Sequence, residues 1–140
     1  MKITWVQCKS YDEAKDFCDI IYLHEWNGKP FYWGICDNSI FGGNPRTING
    51  RRRNPRYGPS YRHWIEGCLR HGGKLYIGKP TERENCNLED IELSLIAQFP
   101  SEMNPEVNVR IIVRDIEHSG DIPVCMRLRN GQQVNQGDGE

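Results

Sequence analysis

Two tyrosines, Tyr22 and Tyr32, stand ten residues apart in "IIYLHEWNGKPFYWGIC", on either side of Asn27-Gly28-Lys29-Pro30. Phenols presented this way either pack or position a polar ligand. Downstream lies "LEDIELSLIAQF", residues 88–99. At about 100° per residue, Leu88, Ile91, Leu95 and Phe99 share one helical face, with Glu92 on its flank, Glu89 farther round and Asp90 nearly opposite. Glu92 is thus the acid held closest to the core. A carboxylate there is usually paired with a base or bound to a metal. Between these points stands Arg62-His63. A guanidinium makes charge-assisted hydrogen bonds to phosphate-like oxygens. An imidazole titrates near neutrality and can carry a proton, although His63 serves equally well as a solvent-facing or DNA-contacting residue.

These groups need elements to position them. Ser10 to Phe17 opens with an N-cap and an acidic first turn and predicts a short helix. Ile20 to Glu25 and Pro30 to Cys36 are strands joined at Asn27-Gly28, a strong hairpin signal. Residues 37–60 are rich in Gly, Pro and Asn and are expected to form a long loop. Tyr61 to His71 reads as a helix with Ser60 as its N-cap and Gly72-Gly73 as its stop. Lys74 to Ile77 is a short strand, and Leu88 to Phe99 is a second helix ended by Pro100. Residues 107–116 and 123–128 are expected to be a final strand pair turning at Ser119-Gly120-Asp121. The order predicts an α+β domain with a small antiparallel three-stranded sheet flanked by helices and a C-terminal β-hairpin extension. One domain over 1–128 with a loose tail at 129–140 fits the 140-residue length.

The formal net charge of −1 conceals an asymmetry. From Arg46 to Arg83 there are ten Lys/Arg against two acids, Glu66 and Glu82, which leaves eight bases and seventeen acids for the rest. Such a window is the footprint of a phosphate-backbone binder, or else a solvated basic segment. The residues expected to contact nucleic acid are Arg46, Arg51, Arg52, Arg53, Arg56, Arg70 and Lys74. The six cysteines are widely spaced with no C-x-x-C and read as reduced thiols. Met1-Lys2 leads into mixed polar sequence and the apolar runs are short, so an intracellular protein that does not span a membrane is expected.

Taken in order, the tyrosine hairpin, the basic helix, the glutamate helix and Asn104 beyond it resemble the GIY-YIG nuclease family. Ile20-Ile21-Tyr22 occupies the place of the first signature, with Ile20 where the family has glycine, and Tyr32-Trp33-Gly34 that of the second. The resemblance covers roughly residues 18–104, with 37–60 as an insertion. It implies a metal-dependent endonuclease acting on DNA, with Tyr22, Tyr32, Arg62, His63, Glu92 and Asn104 at its site. Glu92 would anchor Mg²⁺ or Mn²⁺, which keeps several waters and needs few protein carboxylates. Arg62 would stabilise the phosphate transition state, and the tyrosines would position or activate water. Arg62 is preferred because Arg53 and Arg56 sit among Gly and Pro, outside any expected rigid element. Asn104 would orient the site. The core leaves no room for a separate DNA-reading domain, so a homodimer or a place in a larger nuclease assembly is expected. The alternative is a catalytically inactive module of this type that binds nucleic acid or a protein partner.

Overall fold

The computed structural model describes residues 1–107, 113 and 115–129. Its strands are β1 (Lys2–Cys8), β2 (Cys18–Trp26), β3 (Lys29–Gly42), β4 (Arg46–Ile48), β5 (Arg51–Tyr57), β6 (Gly73–Thr81) and β7 (Glu117–Gly120). Its helices are α1 (Tyr11–Ala14), α2 (Arg62–Arg70), α3 (Leu88–Gln98) and α4 (Val124–Arg129), with a 3₁₀ turn at Pro59–Tyr61. The strands form one mixed sheet in the order β4-β5-β3-β2-β6-β1-β7. The α+β class holds. The small three-stranded sheet does not, because four further strands extend it on both sides.

At the centre, β2 pairs antiparallel with both β3 and β6. The hairpin turns at Asn27 and Gly28, whose φ values are 54° and 75°, the left-handed pair that this turn requires. The same chemistry recurs at Asn49 and Gly50, with φ of 53° and 77°. It folds β4 against β5, with Arg46 opposite Arg53 and Ile48 opposite Arg51. The expected loop over 37–60 is therefore corrected. Strand β3 runs on to Gly42, and beyond it a second hairpin forms, whose β5 lies parallel to the end of β3.

Two more expectations are corrected. Ser60 does not cap α2, which begins after the 3₁₀ turn with no side-chain cap. Of the expected C-terminal strand pair, 124–129 is helix, and the supposed turn at Ser119-Gly120 belongs to β7, parallel to β1. A short apolar run does not choose between helix and strand by itself. Here the buried Glu25 carboxylate accepts the Cys125 N–H at 2.9 Å, which satisfies a first-turn donor of α4. Most of the expected 107–116 strand and the 130–140 part of the tail lie outside the described residues. By contrast, α3 begins as expected at Leu88, and the Asn87 side chain accepts from the Asp90 N–H at 2.8 Å.

The sheet separates two cores. On one face Ile3, Trp5, Ile21, Leu23 and Trp33 pack against α3 and α4. On the other, Cys8, Ile20, Tyr22, Cys36, Phe41 and Ile77 pack with α1 and α2. Strand alternation sends Tyr22 to the second face and Trp33 to the first. Trp33 is fully buried and donates from Nε1 to the Phe99 carbonyl at 2.9 Å, tying the end of α3 to the sheet. All six cysteines are free thiols.

Register puts Tyr22 directly opposite Gly34, and the phenol ring lies over that glycine. A Cβ at position 34 would stand 2.2 Å from Tyr22 Cζ, far inside van der Waals contact. We expect Gly34→Ala to lower stability by about 2–3 kcal/mol through overpacking, read as a reduced urea midpoint with an unchanged slope. An unchanged midpoint would mean that the ring is not confined there.

Candidate active site

Tyr22 and Tyr32 share a face of the sheet. Tyr32 lies opposite His24, two residues along from Tyr22, and the phenol rings are 6.2 Å apart. His24 completes the group, 5.6 Å from Tyr22 and 6.5 Å from Tyr32 by ring centroids. Burial lowers the His24 pKa to about 4, so the imidazole is neutral near pH 7. A third phenol joins from β5: Tyr57 lies 5.7 Å from the Tyr22 ring and accepts from Tyr22 Oη at 3.4 Å. Burial raises the pKa of the Tyr22 phenol, and its interactions with Tyr57 raise it further against the opposing pull of Arg56. Tyr22 stays protonated at neutral pH and can donate a hydrogen bond.

Arg56 Nη2 donates to Tyr22 Oη at 3.5 Å. Its charge also acts on Glu92. Burial pushes the Glu92 carboxyl up to about 7, Arg56 lowers it and Glu89 raises it. One exposed guanidinium therefore acts on both the phenol and the carboxylate. None of the described ion pairs includes Glu92.

Arg56 belongs to a strand anchored at both ends. At its start, Arg53 is buried and its guanidinium donates to Asp19 and Asn38, each at 3.3 Å. At its end, Tyr11 Oη donates to the Tyr57 carbonyl at 2.7 Å and accepts the Gly43 N–H at 2.7 Å. Along its length β5 pairs with β3. Arg56 is thus a strand residue and not the loop residue expected from its Gly- and Pro-rich surroundings, so it sits on a rigid element after all.

Arg62 does not join the tyrosines. It pairs with Asp12 at 2.9 Å, and its guanidinium lies over the Tyr11 ring. His63 is exposed and lines a surface groove with Arg62, Glu66 and Arg70. Asn104 grips the backbone of β3: Trp33 N donates to its Oδ1 at 2.8 Å, and its Nδ2 donates to the Trp33 carbonyl at 3.0 Å. A side-chain amide thus stands in for a neighbouring strand beside Tyr32 and Gly34, and Ser101 hydrogen-bonds the same Oδ1. Of the basic residues, Arg46 is paired with Asp16, Arg53 is buried, Arg70 is paired with Glu66, and Arg51 and Arg52 are exposed. Lys74 stands on β6 beside the pocket that contains His24. Sequence reasoning missed Tyr57, His24 and the role of Arg56. Asn49-Gly50 is the signal that turns much of 37–60 into strands.

Among the described residues no group of three His, Cys, Asp or Glu converges as a metal cage. The donor set is a single desolvated carboxylate, Glu92. This fits a hard cation that keeps its waters rather than zinc or another ion that needs an all-protein shell. Comparison with protein-family models, curated proteins and solved structures finds no match to this chain.

Because the folded-state pKa of Glu92 lies above its ordinary 4.5, its contribution to stability is complete below about pH 4.5 and is lost as pH rises through 7. Allowing for its partial exposure, the loss is on the order of 1–2 kcal/mol. In chelator, Glu92→Gln should raise Tm by about 3–6 °C at pH 8 and leave it unchanged near pH 4. Equal shifts at both pH values would show that Glu92 is not desolvated.

Proposed function

We propose that this protein is a divalent-metal-dependent endonuclease that hydrolyses DNA phosphodiester bonds, similar in kind to the GIY-YIG nucleases. The observation that carries the reading is Arg56, which acts on both the Tyr22 phenol and the desolvated Glu92 carboxylate. A guanidinium hydrogen-bonded to a protonated phenol, with its charge also felt by a carboxylate, suits a phosphate whose negative charge grows in the transition state.

Each residue has its own task. Glu92 would hold Mg²⁺ or Mn²⁺, which would supply charge neutralisation and a more acidic water. Arg56 donates to the non-bridging phosphate oxygens, the part that the sequence suggests for Arg62. Tyr22 remains protonated and donates a hydrogen bond, while the half-buried Tyr32 orients the attacking water from the mouth of the site. Water oxygen bonds to phosphorus as the bond from phosphorus to the leaving sugar oxygen breaks, and the proton that the attacking water releases to solvent is matched by the one that the leaving oxygen takes from solvent. Asn104 acts through the β3 backbone and is a positioning residue. Arg51 and Arg52, exposed on the β4–β5 hairpin, supply attraction for the DNA backbone.

Supercoiled plasmid and single-stranded DNA, incubated with Mg²⁺ or Mn²⁺ and separately with EDTA, test this. Cutting should need the metal and fall at least about 10²-fold in Glu92→Ala. Wild-type protein that shifts DNA in a gel yet cuts no substrate would establish the inactive binding module instead. Failure to bind DNA at low salt would sink both readings, since phosphate contacts are strongest there.

A further inference from the structure

Strand β5 has an outer row that the cleavage chemistry uses only at one end. Exposure alternates along it: Arg53 is buried and Pro55 and Tyr57 are half-buried, while Arg52, Asn54 and Arg56 are exposed. The ladder to β4 over 51–53 and the ladder to β3 over 54–57 each keep one register, so alternate side chains stay on one side of the strand. The inward set is occupied, Arg53 with Asp19 and Asn38 and Tyr57 against the Tyr22 ring. In the outward set, neither Arg52 nor Asn54 has a side-chain hydrogen bond or ion pair among the described residues.

Alternate residues of a strand repeat about every 6.6 Å, close to the step between successive phosphates of one nucleic-acid strand. Arg52, Asn54 and Arg56 carry hydrogen-bond donors at that step, and guanidinium and amide groups are common donors to phosphate oxygens. Opposing charge near the row is already engaged. Asp16 is paired with Arg46 and Asp19 with Arg53. Arg51 is exposed as well, but the alternation sends it to the side of Arg53, off the row.

We propose that β5 is a track for one strand of the DNA, with the cleaved phosphate at Arg56, the next phosphate at Asn54 and the one beyond it at Arg52. This inference rests on the nuclease reading above. Arg52 and Asn54 are then substrate-positioning residues: they hold the strand so that the scissile linkage stands at Arg56, and they leave the reacting atoms alone. Both lie on one side of Arg56, because on its other side β5 ends at Tyr57. The contacts therefore fall on one side of the cut and give the bound strand a direction. The substrate class is a polynucleotide with at least two further phosphates on that side, and a lone phosphodiester cannot use the track. Phosphate contacts carry no base information, so the track sets position and not sequence.

The test is single-turnover cleavage, with Mg²⁺, of end-labelled DNAs that each carry one methylphosphonate, a linkage without charge, at successive positions. In wild type, a methylphosphonate two phosphates from the cut should slow that cut about tenfold and one adjacent to it about threefold, on one side only. Arg52→Ala should lose the effect of the farther linkage and keep that of the nearer, and Asn54→Ala should do the reverse. Arg52→Lys, which keeps the charge, should retain both effects, as should Arg51→Ala, whose side chain lies off the row. An unmoved Tm in each variant reports an intact fold. If wild type cuts alike whichever neighbouring linkage is neutral, or either effect survives in its own alanine variant, the track is overturned and the nuclease reading stands. If wild type cuts none of the DNAs, both fall.

Discussion

The contact on which the site depends is Tyr22 lying over Gly34. Register alone brings them together, and only a residue without a Cβ leaves room for the ring. With the ring seated, its hydroxyl meets Tyr57 and Arg56 on β5. Shift β3 by one residue against β2 and Tyr32 would leave the face that Tyr22 occupies. Much of the remaining structure guards this register. Asn104 holds the edge of β3 at Trp33, and Trp33 fastens the end of α3 from the other side of the sheet.

A second constraint comes from β5. A long basic segment would ordinarily repel itself and stay solvated. Here the buried Arg53 is paired with the exposed Asp19, and Tyr11 ties the strand end through the Tyr57 carbonyl. Those two anchors commit Arg56 to one place and leave its guanidinium exposed. Desolvation raises both the Tyr22 phenol and the Glu92 carboxyl, and the one cation acting on both opposes each shift. A phenol held neutral and a carboxyl that titrates near pH 7 are thus set by burial against one cation.

The parts legible in the sequence are those set by local chemistry. Asn27-Gly28 announces the hairpin, and the spacing of Leu88, Ile91, Leu95 and Phe99 announces α3. Helical geometry alone places Glu92 near the core. The parts that are not legible depend on partners distant in the chain. β1 alternates Ile3 and Trp5 inward, yet its pairing with β6 joins residues far apart. Asn49-Gly50 carries the same turn chemistry as the first hairpin and is masked by surrounding Gly, Pro and Arg. A helix promises more rigidity than a loop, which favours Arg62 on sequence, whereas the rigidity of Arg56 comes from Arg53, Tyr11 and β3. His24, an ordinary strand residue by sequence, acquires its interest only from the rings that Trp64 and Tyr57 bring against it.

On the proposed nuclease reading, the claim that stands at the centre is that Arg56, and not Arg62, meets the phosphate. Single-turnover cleavage of one labelled DNA, with saturating protein and Mg²⁺, measures it directly in Arg56→Ala and Arg62→Ala. Arg56→Ala should slow the chemical step by about 10²–10³-fold, while Arg62→Ala, which loses an exposed pair with Asp12 and a contact over the Tyr11 ring, should stay within a fewfold of wild type. The reverse ranking would contradict the claim.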